Sequence, residues 1–506
     1  MTKKHPAYIA LRRGNDPNNI SAFAFGPDLA GLKETLSADK KEAKPTIDPE
    51  IDASDPTAAF QAFIGRASDT GLALRELSIA SRPLHSMYSA IITRFEVVDP
   101  VRNTGDLVES TEKFEIYGIS TDRLAKIRET HRQLNRMETG FSFLPTAVLL
   151  TAVSSFDSSI NDFVRQMLKD HPEHIENGER KLSFKEILKY NDFEELRDRL
   201  IDEEVYDFSR GSHDEQVRQI EKWFSIKIIE QWKRWPDFIE IFERRNLVAH
   251  GESGFTERYV RICQSHGHKG SEELLGKEVK LSYKYLVQMV NILIEFQILL
   301  ALMVWRKRKG FSDKDLFPHI NQACYKMVFQ QLYVAPINIL EFCLSLKGSD
   351  SDSSTRLMMI VNQASALKHN NEEEKCKKIL DGQDWSASAD QYKICVAALR
   401  EDVSEVCRLF PSVAANSPIS CDDFREWPVF DYVCKDDGFQ KCFFAAFGEL
   451  YFDEEKQDNI SDPPKITQMD SVVSDDEGAL MEPMKKVTGP KVKDDVAQRD
   501  GPQKES

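Results

Sequence analysis

Residues 243–251 read Glu-Arg-Arg-Asn-Leu-Val-Ala-His-Gly, and Arg245, Asn246 and His250 among them are side chains suited to a phosphodiester. An arginine presents a fixed fork of donors to phosphate oxygens. A histidine moves protons near neutral pH. A ribose 2′-hydroxyl that attacks its own 3′-phosphate needs a base for its proton, a cation for the charge building on phosphorus, and a proton for the departing 5′-oxygen. Arginine and histidine supply these without a metal.

The three residues must be held by a helix. Trp235-Pro236-Asp237 opens it, since proline suits a first turn, and Gly251 suits the position just past a helix end. On that helix Asn246 and His250, four apart, share a face, so Asn246 is expected to orient the imidazole. Arg245 lies on the neighbouring stripe. It has to reach round, or meet a substrate held between two copies of the motif, as a two-fold dimer would allow. Against this stands a plain alternative: arginine and histidine often share a helix, and a terminal histidine is favoured there by the helix dipole.

The surrounding pattern is helical. Apolar residues at three-to-four spacing predict helices over 86–98, 121–137, 146–170, 193–205, 213–224 and 283–308. Ser183 is a good N-cap for a short helix beyond it. Residues 1–80 read as a flexible region with a short hairpin around Gly14–Pro17, and Lys40–Pro56 as a linker. Residues 81–144 form a helical lead-in, 145–310 a helical domain, and 311–452 a helical region of repeat-like character. In the last, Ala366–Leu380 resembles Ala398–Phe410 at an offset of about 31–32 residues, with a weaker echo at Asp431–Phe444. Such a period suits tetratricopeptide-like hairpins, although their Trp/Gly/Tyr consensus is absent. Residues 453–506 read as a disordered acidic tail. The fold class is therefore all-α.

Composition narrows the function classes. The net charge is −16, which argues against coating nucleic acid through bulk charge but leaves room for a local basic cleft. All nine cysteines lie from Cys263 onward without a C-x-x-C pair, and read as buried thiols of a cytoplasmic protein. The start of the chain lacks a signal-peptide pattern. Leu286–Trp305 is apolar enough for a membrane span and is followed by Arg306–Lys309. Gln288, Asn291, Glu295 and Gln297 interrupt it, so it reads as a buried helix of a bundle or dimer core. Cys263-x-x-His266-x-His268 lacks a second Cys/His pair nearby, so no metal and no cofactor is expected. Arg244, Arg258, Arg261 and Lys269 are candidates to flank a substrate, with His266 and His268; the bland alternative is a solvated loop. The chain carries no Walker-A loop, dinucleotide-type glycine motif or Gly-x-Ser-x-Gly elbow.

Ser155-Phe156-Asp157-Ser158-Ser159-Ile160-Asn161-Asp162-Phe163-Val164, then Leu182–Leu188 and Glu194-Glu195-Leu196, then the motif continuing to Glu257-Arg258-Tyr259, resemble in order and spacing the HEPN domains of the RiboL-PSP type. The resemblance covers roughly residues 145–310. It departs at Gly251, where many relatives have asparagine. It implies an all-α bundle that dimerises and cuts RNA to a 2′,3′-cyclic phosphate and a 5′-hydroxyl. Arg245 and His250 would be the catalytic pair and Asn246 the residue that positions them. Antiviral defence or toxin action is the implied setting. HEPN domains also occur as silent dimerisation or binding modules. The rival expectation is therefore a scaffold whose 311–452 surface binds a regulatory protein; a membrane-associated variant ranks third.

Overall fold

The computed structural model describes residues 8–13, 20–26, 57–104, 106–110, 115–171, 182–187, 189–416 and 419–452. The linker over Lys40–Pro56 and the tail over 453–506 lie outside them. The packed body is all-α. Two small antiparallel hairpins accompany it: β1 (Tyr8–Arg13) pairs with β2 (Ile20–Gly26), as expected, and β3 (Asp106–Ser110) with β4 (Glu115–Gly118). The second falls in the break of the helical lead-in.

The first long helix corrects the expectation of a flexible region over 1–80. Helix α1 (Ala58–Ile92) buries Phe60, Phe63, Ile64, Ala67 and Leu74 at three-to-four spacing. Gly65, Gly71 and Pro83 obscure that period in the sequence. Gly71 has a packing reason, because a Cβ there would collide with the Ile294 side chain. Phe60 meets Trp305 edge-on at 5.1 Å, and Phe63 stacks on Phe163 at 4.3 Å.

Short α2 (Asp99–Thr104) precedes α3 (Thr121–Ser142). Then α4 (Leu144–Asp170) carries Pro145 in its first turn, so the proline marks a new helix start. There follow α5 (Phe184–Ile187), α6 (Phe193–Ser209), α7 (His213–Phe224), α8 (Ile228–Gln231), the motif helix α9 (Trp235–Ala249) and α10 (Glu257–Ser265). Helix α11 (Tyr283–Trp305) is the apolar segment, and 89% of its most apolar window is buried inside the protein.

The polar residues of α11 explain that burial. Asn291 Oδ1 accepts from the Ala335 N–H at 2.8 Å. Glu295 accepts from Trp232 Nε1 at 2.5 Å and Asn338 Nδ2 at 2.9 Å, with Arg234 at 3.5 Å. Asn291 and Glu295 thus have protein partners that a lipid could not provide. Burial nonetheless pushes the Glu295 carboxyl above the usual range.

Helical hairpins follow: α12 (Asp313–Phe329) with α13 (Val334–Ser345), α14 (Ser353–His369) with α15 (Glu373–Asp381), and α16 (Asp390–Leu399) with α17 (Val403–Asn416). All three turns use the same closure. Gln331, Asn371 and Glu401 sit at φ 63°, 60° and 60°, and their N–H groups donate to the last helical carbonyls. The Lys368 ammonium donates to the Leu399 carbonyl at 2.6 Å and to Glu401 at 2.7 Å, tying one hairpin to the turn of the next. The chain continues through α18 (Cys421–Glu426) and α19 (Asp437–Phe447).

Two further expectations are revised. One continuous apolar core runs from Phe60 to Met359, so packing does not divide at 310/311: α12 and α13 close the same core as α1, α4 and α11. Cys407 and Cys442 are disulfide-bonded rather than thiols. Packing of α17 on α19 brings the bonded pair to a Cα separation of 5.5 Å across 35 residues, which sequence spacing does not reveal. A second compact unit begins at Gly448, of which residues up to Phe452 are described.

Candidate active site

Helix α9 buries Trp235, Phe238, Ile239, Ile241 and Phe242 against the core. Its end is closed by Gly251 at φ 71°: the Gly251 N–H donates to Val248 and the Glu252 N–H to Leu247. The buried face fixes the helix rotation, and that decides where each polar residue of the motif points.

Arg245 faces α4. Its Nη2 donates to Asp157 Oδ2 at 3.3 Å and its Nη1 to Asn246 Oδ1 at 3.2 Å. The other Asp157 oxygen, Oδ1, lies 2.9 Å from His213 Nε2. One carboxylate thus carries a guanidinium on one oxygen and an imidazole on the other. The imidazole lies flat on Phe242, centroids 3.4 Å apart. His213 is set there by the start of α7, where Ser212 and Glu215 form a reciprocal capping box.

Glu243 adjoins this cluster. Burial pushes its carboxyl above the usual glutamate range, against the pull of Arg258, His213 and His266 and a bond from Asn246 Nδ2 at 3.5 Å. His266 lies 3.3 Å from Asp214, the residue after His213. Carboxylates, imidazoles and guanidiniums from α4, α7, α9 and α10 therefore converge on one end of the motif helix.

Two assigned roles are corrected. Asn246 directs its side-chain amide to Arg245 and Glu243; its link to His250 is the backbone bond of the helix, 3.0 Å from the His250 N–H to the Asn246 carbonyl. The i, i+4 relation holds, but the nearer guanidinium takes the amide. Arg244, expected to flank the substrate, is structural. It donates to buried Glu240 at 2.6 Å and lies over the Tyr285 and Phe255 rings at 3.9 and 5.0 Å. Glu240 also accepts from Tyr259 at 2.5 Å and Tyr285 at 3.0 Å.

The remaining predicted motif and flanking residues face solvent. His250 is exposed at the helix C-terminus, and among the described residues its ring makes no hydrogen bond to Arg245 or Asn246. Arg258 and Arg261 are exposed on α10, and Lys269 is exposed beyond it. Cys263, His266 and His268 do not converge. The thiol is fully buried and pushed up to about 12 by that burial, His266 turns to Asp214, and His268 approaches Asp237 at 4.0 Å.

Asp157, His213 and Glu243 were not assigned roles from the sequence. Two signals for them exist: Asp157 breaks the apolar run of α4 beside Phe156, and the Ser212-x-x-Glu215 box places His213 at the head of α7. Their meeting is 56 residues apart for Asp157 and His213, and 88 for Asp157 and Arg245, beyond the reach of local pattern.

Two cavities are lined by other residues than those of the motif. One of about 220 Å³ lies between α1, α4 and α11, with Gly71, Phe156 and Gln297 in its wall. A larger one of about 530 Å³ lies between α13, α14 and α15, lined by Val334, Ile337, Glu341, Lys375 and Lys378 among others. No family model, curated protein or solved structure matches the chain.

Proposed function

We propose that the chain is a HEPN-type endoribonuclease that cleaves RNA without a metal, through 2′-hydroxyl attack, leaving a 2′,3′-cyclic phosphate and a 5′-hydroxyl. The observation that carries this is Arg245, a partly exposed guanidinium held at the end of a helix by Asp157 and Asn246. Such a cation is preorganised for a phosphate and can exchange a surface carboxylate for it. His250 is the motif's proton-transfer group. The proposed assembly is a homodimer in the cytoplasm, with RNA as substrate and antiviral defence or toxin action as the setting the resemblance suggests.

A second reading has support of its own. Arg245 already has a carboxylate partner, and the cavity of about 530 Å³ among the hairpins presents apolar walls rimmed by charges of both signs. A catalytically silent HEPN scaffold, with the tetratricopeptide-like hairpins binding a regulatory protein, would look the same.

The test is cleavage of mixed RNA in EDTA by the purified protein beside Arg245→Ala and His250→Ala. The nuclease reading expects cleavage by the wild type, loss of about 10²–10³-fold in Arg245→Ala, and cyclic-phosphate ends. Absence of wild-type cleavage, or equal cleavage by all three proteins, favours the scaffold.

A further inference from the structure

Cleavage by 2′-hydroxyl attack involves two proton transfers, and the motif supplies one histidine. The fold brings a second to Arg245 from outside the motif. His213 and Arg245 hang on the two oxygens of Asp157, at 2.9 and 3.3 Å, which sets an imidazole beside a phosphate-binding guanidinium within one chain.

The pairing also selects the tautomer. With Nε2–H donating to Asp157, Nδ1 carries the lone pair, and among the described residues Nδ1 has no hydrogen-bond partner. The ring is locked in place by its stacking on Phe242 and by the capping box at Ser212. A carboxylate that orients an imidazole, with the far nitrogen open, is the arrangement of a general base. Stability alone does not call for it: a partly exposed carboxylate–guanidinium pair contributes little.

We propose that His213 is the base that removes the 2′-hydroxyl proton, with Asp157 as its positioning residue; this rests on the ribonuclease reading. The step balances within the substrate. The 2′ O–H bond breaks and its proton passes to Nδ1, the 2′-oxygen bonds to phosphorus, and the P–O5′ bond breaks. The 5′-oxygen leaves with a proton from His250, and nothing is oxidised or reduced. The site would then need no partner copy to supply its base.

Four proteins and two substrates test this: wild type, His213→Ala, His213→Asn and Arg245→Ala, on a short RNA and on the same RNA with a bridging 5′-sulfur leaving group. His213→Asn keeps a polar, non-titrating amide on the same backbone position but gives up the ring on Phe242 and the reach of Nε2 to Asp157, so its rate is read per folded molecule, with thermal unfolding as the control. Both His213 variants should lose about 10²–10⁴-fold on the oxygen substrate. Free imidazole should restore part of the His213→Ala rate and none of the Arg245→Ala rate. The sulfur leaving group, which needs no proton, should not restore His213→Ala. Wild-type rates in His213→Asn, or rescue by sulfur, overturn the base assignment while leaving the ribonuclease reading intact. No cleavage by any of the four overturns both.

Discussion

Helix α9 separates two polar clusters built from similar parts. On one side Glu240 is closed off: Arg244, Tyr259 and Tyr285 all donate to it, and the guanidinium is sandwiched by rings. On the other, Asp157 is open: Arg245 and His213 bind it, Glu243 and Asn246 lie alongside, and all are partly exposed. Arg244 and Arg245 are adjacent in sequence, yet one is a core strut and the other a surface cation. A buried charge is tolerated only when its partners are complete, whereas a half-satisfied charge at the surface stays available to a ligand. The distinction between the buried and the surface arginine follows from that difference.

The largest effect should come from breaking the closed cluster. Arg244→Met strands the Glu240 carboxylate among two phenols, and should cost about 3–5 kcal/mol, read as a lower urea midpoint. Cleavage per folded molecule should stay near wild type; a selective loss of activity would make Arg244 part of the site after all. Arg245→Ala should do the reverse, with a rate loss of about 10²–10³-fold and a stability change within about 1 kcal/mol. Comparable destabilisation by both substitutions would erase the contrast between the clusters.

Tyr259→Phe should have a smaller effect, removing one hydrogen bond to a charged acceptor at a cost of about 1.5–3 kcal/mol by denaturant melts. The smallest effect concerns pH. The folded-state value of Glu243 lies above the unfolded one, so the folded chain keeps a proton that the unfolded chain has lost across the interval between them. Its contribution favours folding below the usual glutamate range and declines as pH rises through the raised value. Glu243→Gln should make the fall in thermal midpoint over that interval shallower. An unchanged or steeper profile would show that Glu243 does not titrate in the buried environment described.

Much of the frame was legible before the fold. The apolar spacing over 213–224 and the Trp235–Gly251 punctuation define α7 and α9, and the polar residues of α11 mark it as a core helix. Helix α1 was not legible, because glycine and proline conceal a period that only Ile294 and Trp305 make meaningful. The Arg-Asn-x3-His motif is legible as residues and spacing, but its hydrogen-bond partners are not. Helix geometry points Asn246 at His250, while the structure gives its amide to Arg245.

By itself the sequence determined local matters: where helices start and stop, which faces are apolar, and that an arginine, an asparagine and a histidine share the end of one helix. These follow from period, caps and side-chain chemistry within a few residues. The tertiary structure alone decided that Arg244 turns inward and Arg245 outward, that Asp157 and His213 meet, and that residues 311–359 complete the core of the preceding bundle. Those outcomes depend on the rotation of packed helices and on contacts between residues far apart in the chain, which no local pattern encodes.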